Sequence, residues 1–208
     1  MTPSRVAIVK LGGSLASSPS LRAWLDVFAR AGAGRMVIVP GGGPFADAVR
    51  TVQRQQRFDD AAAHRMALLA MEQYGRMLIG MQPGLVATDT ASAIGYALAR
   101  GEVPVWMPSA MVLACADIPA NWNVTSDSLA AWLAGELHAT LLVLVKAVEV
   151  TEAQVTLTEL VSRGWVDPEL PRFAATAGCP VRILGRGDQA VLPRMLADNE
   201  LKGLEVLR

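Results

Sequence analysis

The sequence predicts an α/β fold, an αβα sandwich in which helices cover both faces of a mostly parallel central sheet. Two observations support this prediction: short, nearly continuous apolar runs rich in β-branched residues, and amphipathic helical patterns between them. A strand that is buried on both faces reads as a continuous apolar run, because neither face meets water. Alternation of such strands with helices is typical of parallel sheets.

The elements follow one another along the whole chain. The predicted strands are residues 6–11, 36–39, 103–107, 141–145 and 181–184. A helical stripe at Leu21, Trp24, Leu25 and Phe28 predicts the first helix, and Phe45, Val49 and Val52 form the second stripe. Further helices are predicted over 61–81, 88–100, 128–137 and 189–197.

Length and composition narrow the class of protein. The chain has 208 residues, which predicts one domain, and it contains no internal repeat. Lys plus Arg and Asp plus Glu number 19 each, so the basic excess of a nucleic-acid or membrane-surface binder is absent. A hydrophobic content of 52% predicts extensive buried surface, and we expect a homo-oligomer, a dimer or higher.

The cysteines and the apolar segments indicate where the protein works. Cys115 and Cys179 lie far apart, with no second ligand at metal-binding spacing, so neither a zinc site nor a disulfide framework is predicted. The first apolar run is interrupted by Lys10, and no uncharged stretch is suited to span a bilayer. We expect a cytoplasmic protein with no membrane partner.

Glycines cluster after the first two predicted strands. Gly12 and Gly13 follow the first strand, Gly41, Gly42 and Gly43 follow the second, and a helix begins soon after each group. Glycine lets a ligand approach the main chain, and a helix N-terminus attracts anions, so the pattern predicts a polyphosphate cradle. Glycine also suits an ordinary strand-to-helix turn. The P-loop motif is absent, and no G-x-G-x-x-G motif follows the first strand, which disfavours a dinucleotide-binding fold.

Two lysines end apolar strands. Lys10 and Lys146 would each bring one cation to the carboxyl edge of the sheet, where open α/β folds bind ligands. A lysine on an edge strand that simply reaches solvent is the alternative. Asp127, at the start of a predicted helix, is placed to orient both lysines, although it can also be only a helix cap.

The segments 9–15, 39–45 and 125–130, in this order, resemble the motifs of the amino acid kinase family. The resemblance implies an amino acid kinase-like fold, ATP as phosphoryl donor and Mg²⁺ as its companion, with no metal ligand assigned in this chain. It implies that Lys10 and the first glycine pair hold the transferring phosphoryl group. It also implies that the second glycine loop meets the acceptor, and that Asp127 organises the catalytic lysines.

The chain departs from larger members of that family in its C-terminal half. The strand that ends at Lys146 lacks the usual aspartate-containing end, and a later lysine-bearing segment is missing. We therefore expect a shortened nucleotide lobe, with residues 1–120 as acceptor lobe and 121–208 as nucleotide lobe. Lys146 would replace the missing lysine.

The resulting site prediction has three parts. The catalytic residues would be Lys10, Asp127 and Lys146. The nucleotide and phosphate site would comprise Gly12, Gly13, Ser14, Gly185 and Gly187. The acceptor site would comprise Gly41, Gly42, Gly43, His64, Asn123 and Thr125. His64 has the alternative of a helix histidine satisfied at an interface.

Three functions remain open from the sequence. Residues 63–75 and 122–128 are most similar to the family's small kinases of methanofuran biosynthesis, which convert [5-(aminomethyl)furan-3-yl]methyl phosphate to its diphosphate. Uridylate or isopentenyl phosphate kinase activity is the second possibility. A non-catalytic nucleotide-binding storage or regulatory subunit is the third. The Met-rich helix 61–81 can be core or a dimer seam.

Overall fold

A computed structural model describes residues 6–198 and 203–207 of the chain. Its strands are β1 (Ala7–Leu11), β2 (Met36–Pro40), β3 (Leu85–Thr88), β4 (Val103–Trp106), β5 (Leu141–Val145), β6 (Gln154–Thr156), β7 (Val181–Leu184) and β8 (Leu204–Leu207). Its α-helices are α1 (Leu21–Ala31), α2 (Gly43–Gln56), α3 (Asp60–Met81), α4 (Ala91–Ala99), α5 (Ser109–Leu113), α6 (Ser126–Glu136), α7 (Leu157–Ser162), α8 (Leu170–Ala177) and α9 (Leu192–Asp198). A short 3₁₀ helix covers Gly13–Ser17.

The strands form one sheet in the order β3-β4-β2-β1-β5-β7-β8-β6. Neighbours pair in parallel except β7 and β8, which are antiparallel. The predicted αβα sandwich with a mostly parallel sheet is therefore confirmed. Strands β3, β6 and β8 were not predicted, because each is short and carries exposed or half-exposed residues instead of a continuous apolar run.

Helices cover both faces of the sheet. Successive strand residues point to opposite faces, and Ile8 and Val9 accordingly lie in different core clusters. The cluster around Ile8 includes the apolar side chains of α6 and α8, and the cluster around Val9 includes those of α1. Burying the middle strands on both faces explains why β1, β2 and β5 read as unbroken apolar runs.

The chain reverses its winding direction at β1. From β1 it continues to β2 on one side, and after β4 it returns to β5 on the other side of β1. Leu11 is in register with Pro40 of β2 and with Val145 of β5, so the three strands end level with one another. The crevice outside such a switch point is the usual ligand site of open α/β sheets.

The helices predicted over 61–81, 88–100, 128–137 and 189–197 all form, with bounds that differ from the prediction. Helix α3 begins one residue earlier, and α6 runs two residues earlier at its start and one earlier at its end. The helix predicted over 88–100 begins at Ala91, because Thr88 ends β3 and the Thr90 side chain caps the helix by accepting from the Ala93 amide at 3.2 Å. The last helix begins at Leu192 instead of residue 189. Within residues 6–198 and 203–207, no helix combines the length and apolarity that crossing a membrane requires.

Candidate active site

Lys10, Asp127 and Lys146 form one buried cluster at the carboxyl edge of the sheet. Lys10 lies in β1, Lys146 follows the neighbouring strand β5 directly, and Asp127 lies in the first turn of α6. The Lys146 ammonium donates to both oxygens of Asp127, at 2.8 and 2.7 Å. The Lys10 ammonium lies 2.9 Å from Asp127 Oδ1. Two strands thus bring their cations to a single carboxylate.

This cluster carries an excess positive charge. Burial by itself would raise the pKa of Asp127, but the charges of Lys10 and Lys146 and their hydrogen bonds outweigh it and lower the pKa to about 2. Burial lowers the pKa of Lys146 to about 8, and Asp127 opposes this effect while the charge of Lys10 adds to it. At pH 7 two cations and one anion leave a net charge of +1, which favours an anionic ligand.

The two glycine corners pack directly against each other. A Cβ atom on Gly13 would lie 2.7 Å from the Cα of Gly43, and one on Gly41 would lie 2.9 Å from the Cα of Gly13. Gly43 also has φ of +53°, a conformation that L-residues rarely adopt. The glycines therefore allow main chain to approach main chain beside the lysine cluster.

The first glycine of the pair faces protein. The Gly12 amide donates to the carbonyl of Val145 at 2.9 Å, and a Cβ on Gly12 would lie 2.9 Å from that same oxygen. Our expectation that all these glycine amides bind phosphate therefore does not hold for Gly12, whose N–H group is occupied. Gly12 instead keeps β1 and β5 close together where their lysines meet.

A cleft of about 400 Å³ opens beside the lysine cluster. One part of its wall comes from the glycine corners, and other parts come from α2, α3, the start of α6 and the segment before α8. Of the predicted residues, those that line it are Lys10, Gly13, Ser14, Gly42, Gly43, His64, Thr125 and Asp127. Gly12, Gly41, Asn123, Lys146, Gly185 and Gly187 are not among its lining residues.

His64 lies on the wall of this cleft, on α3, and is buried. Burial lowers the pKa of His64 below its usual value of 6.5. At pH 7 the imidazole is therefore neutral, and it offers one N–H donor and one acceptor nitrogen to a ligand.

Thr125 and Asn123, the other predicted acceptor residues outside the glycine loop, differ in their surroundings. The Thr125 amide and hydroxyl both donate to Asp167, at 2.9 and 2.8 Å. The Thr125 side chain is therefore engaged in holding the start of α6. Asn123 is exposed, and its amide donates to the side chain of Asn121 at 2.9 Å.

The predicted nucleotide glycines follow β7, next to Lys146. The Lys146 amide donates to the Leu184 carbonyl at 2.8 Å, which places Gly185 at the same sheet edge. The Gly185 amide donates to Asp188, and a Cβ on Gly185 would lie 2.7 Å from the Val148 carbonyl oxygen, so Gly185 is packed against protein. A Cβ added at Gly187 would meet no atom within 4 Å, so Gly187 is not packed against protein.

Several residues that line the cleft were not predicted as site residues, among them Asp47, Arg50, Trp122 and Asp167. Asp47 and Arg50 lie on α2, and Arg50 stacks on the Trp122 ring at 4.3 Å from its centroid. The Trp122 indole N–H donates to Gln53 at 2.6 Å. The spacing from Gly43 to Asp47 and Arg50 places them on one helix face, and that spacing could have identified these two. Asp167 joins the site only through the tertiary fold.

The described residues contain no group of three or more His, Cys, Asp or Glu side chains that could hold a metal ion. Both oxygens of Asp127 already accept from lysine, so this carboxylate is not available as a magnesium ligand. Any magnesium used here is therefore expected to arrive with a nucleotide, bound by phosphate and water.

Comparison with known proteins adds a sequence relative and structural neighbours. The family model described as "Amino acid kinase family" matches residues 5–154. The chain is 31% identical over 130 residues to the [5-(aminomethyl)furan-3-yl]methyl phosphate kinase of Methanocaldococcus jannaschii, an alignment that covers 61% of this chain and 58% of that protein. The uridylate kinase of Archaeoglobus fulgidus has a TM-score of 0.73 at 17% identity, covering 97% of this chain and 99% of that one. The isopentenyl phosphate kinase of T. acidophilum has a TM-score of 0.64 at 13% identity, covering 97% and 100%. Both structures share the fold of this chain.

Proposed function

Because this chain belongs to the amino acid kinase family, we propose that it is an ATP-dependent kinase that transfers the γ-phosphoryl group to a small phosphomonoester. The preferred acceptor in this proposal is [5-(aminomethyl)furan-3-yl]methyl phosphate, and the products are its diphosphate and ADP. The observation that supports the proposal best is the lysine cluster: Lys10 and Lys146 converge on Asp127 beside a cleft rimmed by glycine main chain.

Phosphoryl transfer suits a site of this kind. Its transition state is loose, with charge on the peripheral oxygens, so catalysis depends on positioning and on preorganised cations. Lys10 faces the cleft and would contact the moving phosphoryl group directly, and Lys146 would add charge from behind Asp127. Asp127 keeps two like charges together that would otherwise repel each other.

An anionic acceptor explains the chemistry of the cleft wall. A phosphomonoester attacks through an oxygen that is already ionised at neutral pH, so the reaction needs no general base. Neutral His64, the main chain at Gly42 and Gly43 and the guanidinium of Arg50 are donors toward such an anion. Trp122 adds an aromatic wall.

The identity of the acceptor rests on sequence similarity. The aligned relative is named for the furan monophosphate, and it is the basis for placing this compound first. That compound also carries an ammonium group, and Asp47 on the cleft wall is an exposed carboxylate of opposite charge, paired with Arg50 at 3.1 Å. Uridylate and isopentenyl phosphate are the competing acceptors.

The nucleotide belongs, in this proposal, to the C-terminal half. Residues 121–208 would bind MgATP as co-substrate, with Gly187 and the turn after β7 beside Lys146, and residues 1–120 would bind the acceptor. Gly13 and Ser14 would lie between them and contact the transferred phosphate. Departure of ADP on one side and of the diphosphate on the other follows from this arrangement.

The proposal extends to assembly and location. Helix α3 buries Met71, Tyr74 and Leu78 in the core but exposes Met66 and Leu69, which makes this part of the helix the surface we propose for a second copy of the chain. A kinase that consumes ATP belongs in the cytoplasm, where we place this protein.

An acceptor panel tests the function. Purified protein is incubated with MgATP and each candidate phosphomonoester, and both ADP release and the mass of the diphosphate product are followed. The expected result is highest kcat/KM with the furan monophosphate. Preference for uridylate or isopentenyl phosphate would overturn the acceptor assignment, and tight ATP binding without transfer to any acceptor would indicate a storage or regulatory subunit.

A further inference from the structure

Asp167 is a buried carboxylate at the wall of the cleft, in the segment between α7 and α8. Asp167 as a whole is only 7% exposed to solvent. Among the ion pairs of residues 6–198 and 203–207, none involves Asp167. A buried charge without a counter-ion is costly unless hydrogen bonds satisfy it, so the donors around this carboxylate define its role.

Four donors from a single turn meet this carboxylate. Asp167 Oδ2 accepts from the Thr125 amide at 2.9 Å, from the Thr125 hydroxyl at 2.8 Å and from the Ser128 amide at 3.0 Å. The Ser128 hydroxyl donates to Oδ1. Thr125 and Ser128 flank the turn that contains Asp127.

These bonds replace the usual helix cap. Thr125 is the N-cap residue of α6, but its side chain accepts no hydrogen bond from the first turn. The amide at the third helical position, here Ser128, is normally satisfied by the N-cap side chain. Asp167 satisfies it from 39 residues further along the chain, and its negative charge also suits the helix N-terminus.

We propose that Asp167 is a positioning residue of the phosphoryl-transfer site, which holds both ends of the Thr125–Ser128 turn and thereby keeps the Asp127 carboxylate on Lys10 and Lys146. The description of the site as one of phosphoryl transfer rests on the proposed function. The clamp itself rests on the hydrogen bonds.

Three of the four groups donate to Oδ2, and the fourth, the Ser128 hydroxyl on Oδ1, can rotate to donate or to accept. Asp167→Asn can therefore keep these bonds with its NH₂ group facing the Ser128 hydroxyl, whereas Asp167→Ala removes all four. In Asp167→Ala the turn would shift, and Asp127 with it. The same bonds argue against Asp167 as a general base, because its Oδ2 already accepts three hydrogen bonds and the carboxylate is therefore not free to take a proton from a substrate.

The shift has a measurable consequence at Lys146. The charged groups that face this ammonium are Asp127 on α6 and Lys10 on β1. Asp127 raises the pKa of Lys146 and Lys10 lowers it, so withdrawal of Asp127 leaves the pKa lower than in the wild type. A residue that only stabilised the fold would not move this value.

The experiment follows the titration of Lys146 by NMR of ¹³Cε-labelled lysine. The chain has three lysines, and a Lys146→Met variant assigns the signal. In Asp167→Ala, the Lys146 titration midpoint is expected to fall by roughly half a pH unit or more. We expect kcat to fall about tenfold or more while KM for ATP changes by less than about twofold.

Thr90→Ala is the matched control, because it removes the side-chain cap of α4 and leaves the Asp127 turn untouched. It is expected to lower the melting temperature without moving the Lys146 midpoint. An unchanged midpoint in folded Asp167→Ala would overturn the proposal. If that variant does not fold, Ser128→Ala removes one donor to Asp167, and a midpoint equal to that of the wild type would overturn the proposal equally.

Titration requires no turnover, which separates this proposal from the proposed function. A wild type that phosphorylates no acceptor, together with a lowered midpoint in Asp167→Ala, would refute the kinase activity and support the clamp. Transfer by the wild type, together with a Lys146 midpoint that does not move in the Asp167 variant, would support the kinase activity and refute the clamp.

Discussion

Lys146 donates to both carboxylate oxygens of Asp127, at 2.8 and 2.7 Å, and both side chains are buried. The Lys146 side chain is 11% exposed and that of Asp127 is 6% exposed. Lys10 reaches the same carboxylate from the neighbouring strand. The charge balance of these three side chains determines how the protein is expected to respond to substitution and to pH.

Lys10→Ala is expected to abolish phosphoryl transfer while the protein stays folded. Lys10 is the lysine of the cluster that lines the cleft, and loss of one preorganised cation typically costs about 3 kcal/mol or more, a loss of roughly a hundredfold or more in rate. The measurement is kcat with the best acceptor, with circular dichroism as the check on folding. Arg22→Ala, on the exposed side of α1, is the control and should keep full activity.

Asp127→Asn is expected to lower the free energy of unfolding by about 3–5 kcal/mol, because it leaves two buried ammonium groups without their anion. Adding Lys146→Met removes one of these cations and should restore part of the loss. Urea unfolding of both single variants and the double variant measures this coupling. If the losses of unfolding free energy in the two single variants simply added in the double variant, Asp127 and Lys146 would not be coupled, which would contradict the charge balance.

Activity and stability should respond in opposite directions to alkaline pH. The pKa of Lys146 is about 8 in the folded protein against 10.5 for an ordinary lysine, so the unfolded chain binds more protons between these values and the free energy of unfolding rises with pH. The same deprotonation removes a catalytic cation, and kcat/KM should fall above pH 8.

The acceptor phosphate cannot cause that fall, since the pKa of its second ionisation is about 6 and the ionisation is therefore nearly complete at pH 8. Bound MgATP adds negative charge beside Lys146 and should move the alkaline limb of kcat to higher pH than that of kcat/KM. A pH profile of both constants checks this order. If the alkaline limbs of kcat and kcat/KM fell at the same pH, Lys146 would not lie beside the triphosphate.

Gly13→Ala is expected to destabilise the fold and reduce activity together, because its Cβ would lie 2.7 Å from the Cα of Gly43 and would separate the two glycine corners. Gly80→Ala is a matched control on the exposed side of α3, where a Cβ meets no atom within 4 Å. That variant should be stabilised by roughly 0.5–1 kcal/mol, since alanine favours the helix. Thermal melts of both proteins provide the comparison.

His64→Ala is expected to raise KM for the acceptor about tenfold or more while KM for ATP stays constant, because the imidazole lies on the cleft wall and donates one hydrogen bond as a neutral group. His138→Asn is the histidine control. His138 has φ of +48°, which asparagine tolerates, and it follows the opposite end of α6 from Asp127. Equal acceptor KM in both variants would remove His64 from the acceptor site.

The parts of the fold that the sequence predicted are those with strong local patterns. Strands β1, β2, β4, β5 and β7 have buried residues throughout and therefore read as apolar runs. Strand β8 has no such pattern, because Leu204 and Val206 are buried while Leu207 is exposed. Its place in the sheet is decided by pairing with β6 and β7, which local sequence does not encode.

The same distinction applies to the site. The convergence of Lys10 and Lys146 could be predicted, because parallel strands deliver their carboxyl ends to one edge. Asp167 could not, since its four donors lie about 40 residues earlier and no local motif links them. Gly12 was assigned to phosphate, but its amide serves the adjacent β5 instead. Tertiary hydrogen bonds decide these two residues.

The most direct test of the central claim is ³¹P NMR of the protein with MgATP and [5-(aminomethyl)furan-3-yl]methyl phosphate. We expect the γ-phosphate resonance of ATP to disappear as the resonances of ADP and a new diphosphate monoester grow in equal amounts, and we expect Lys10→Ala to leave the spectrum unchanged. Conversion by Lys10→Ala at the wild-type rate would contradict the assignment of phosphoryl transfer to the Lys10–Asp127–Lys146 cluster.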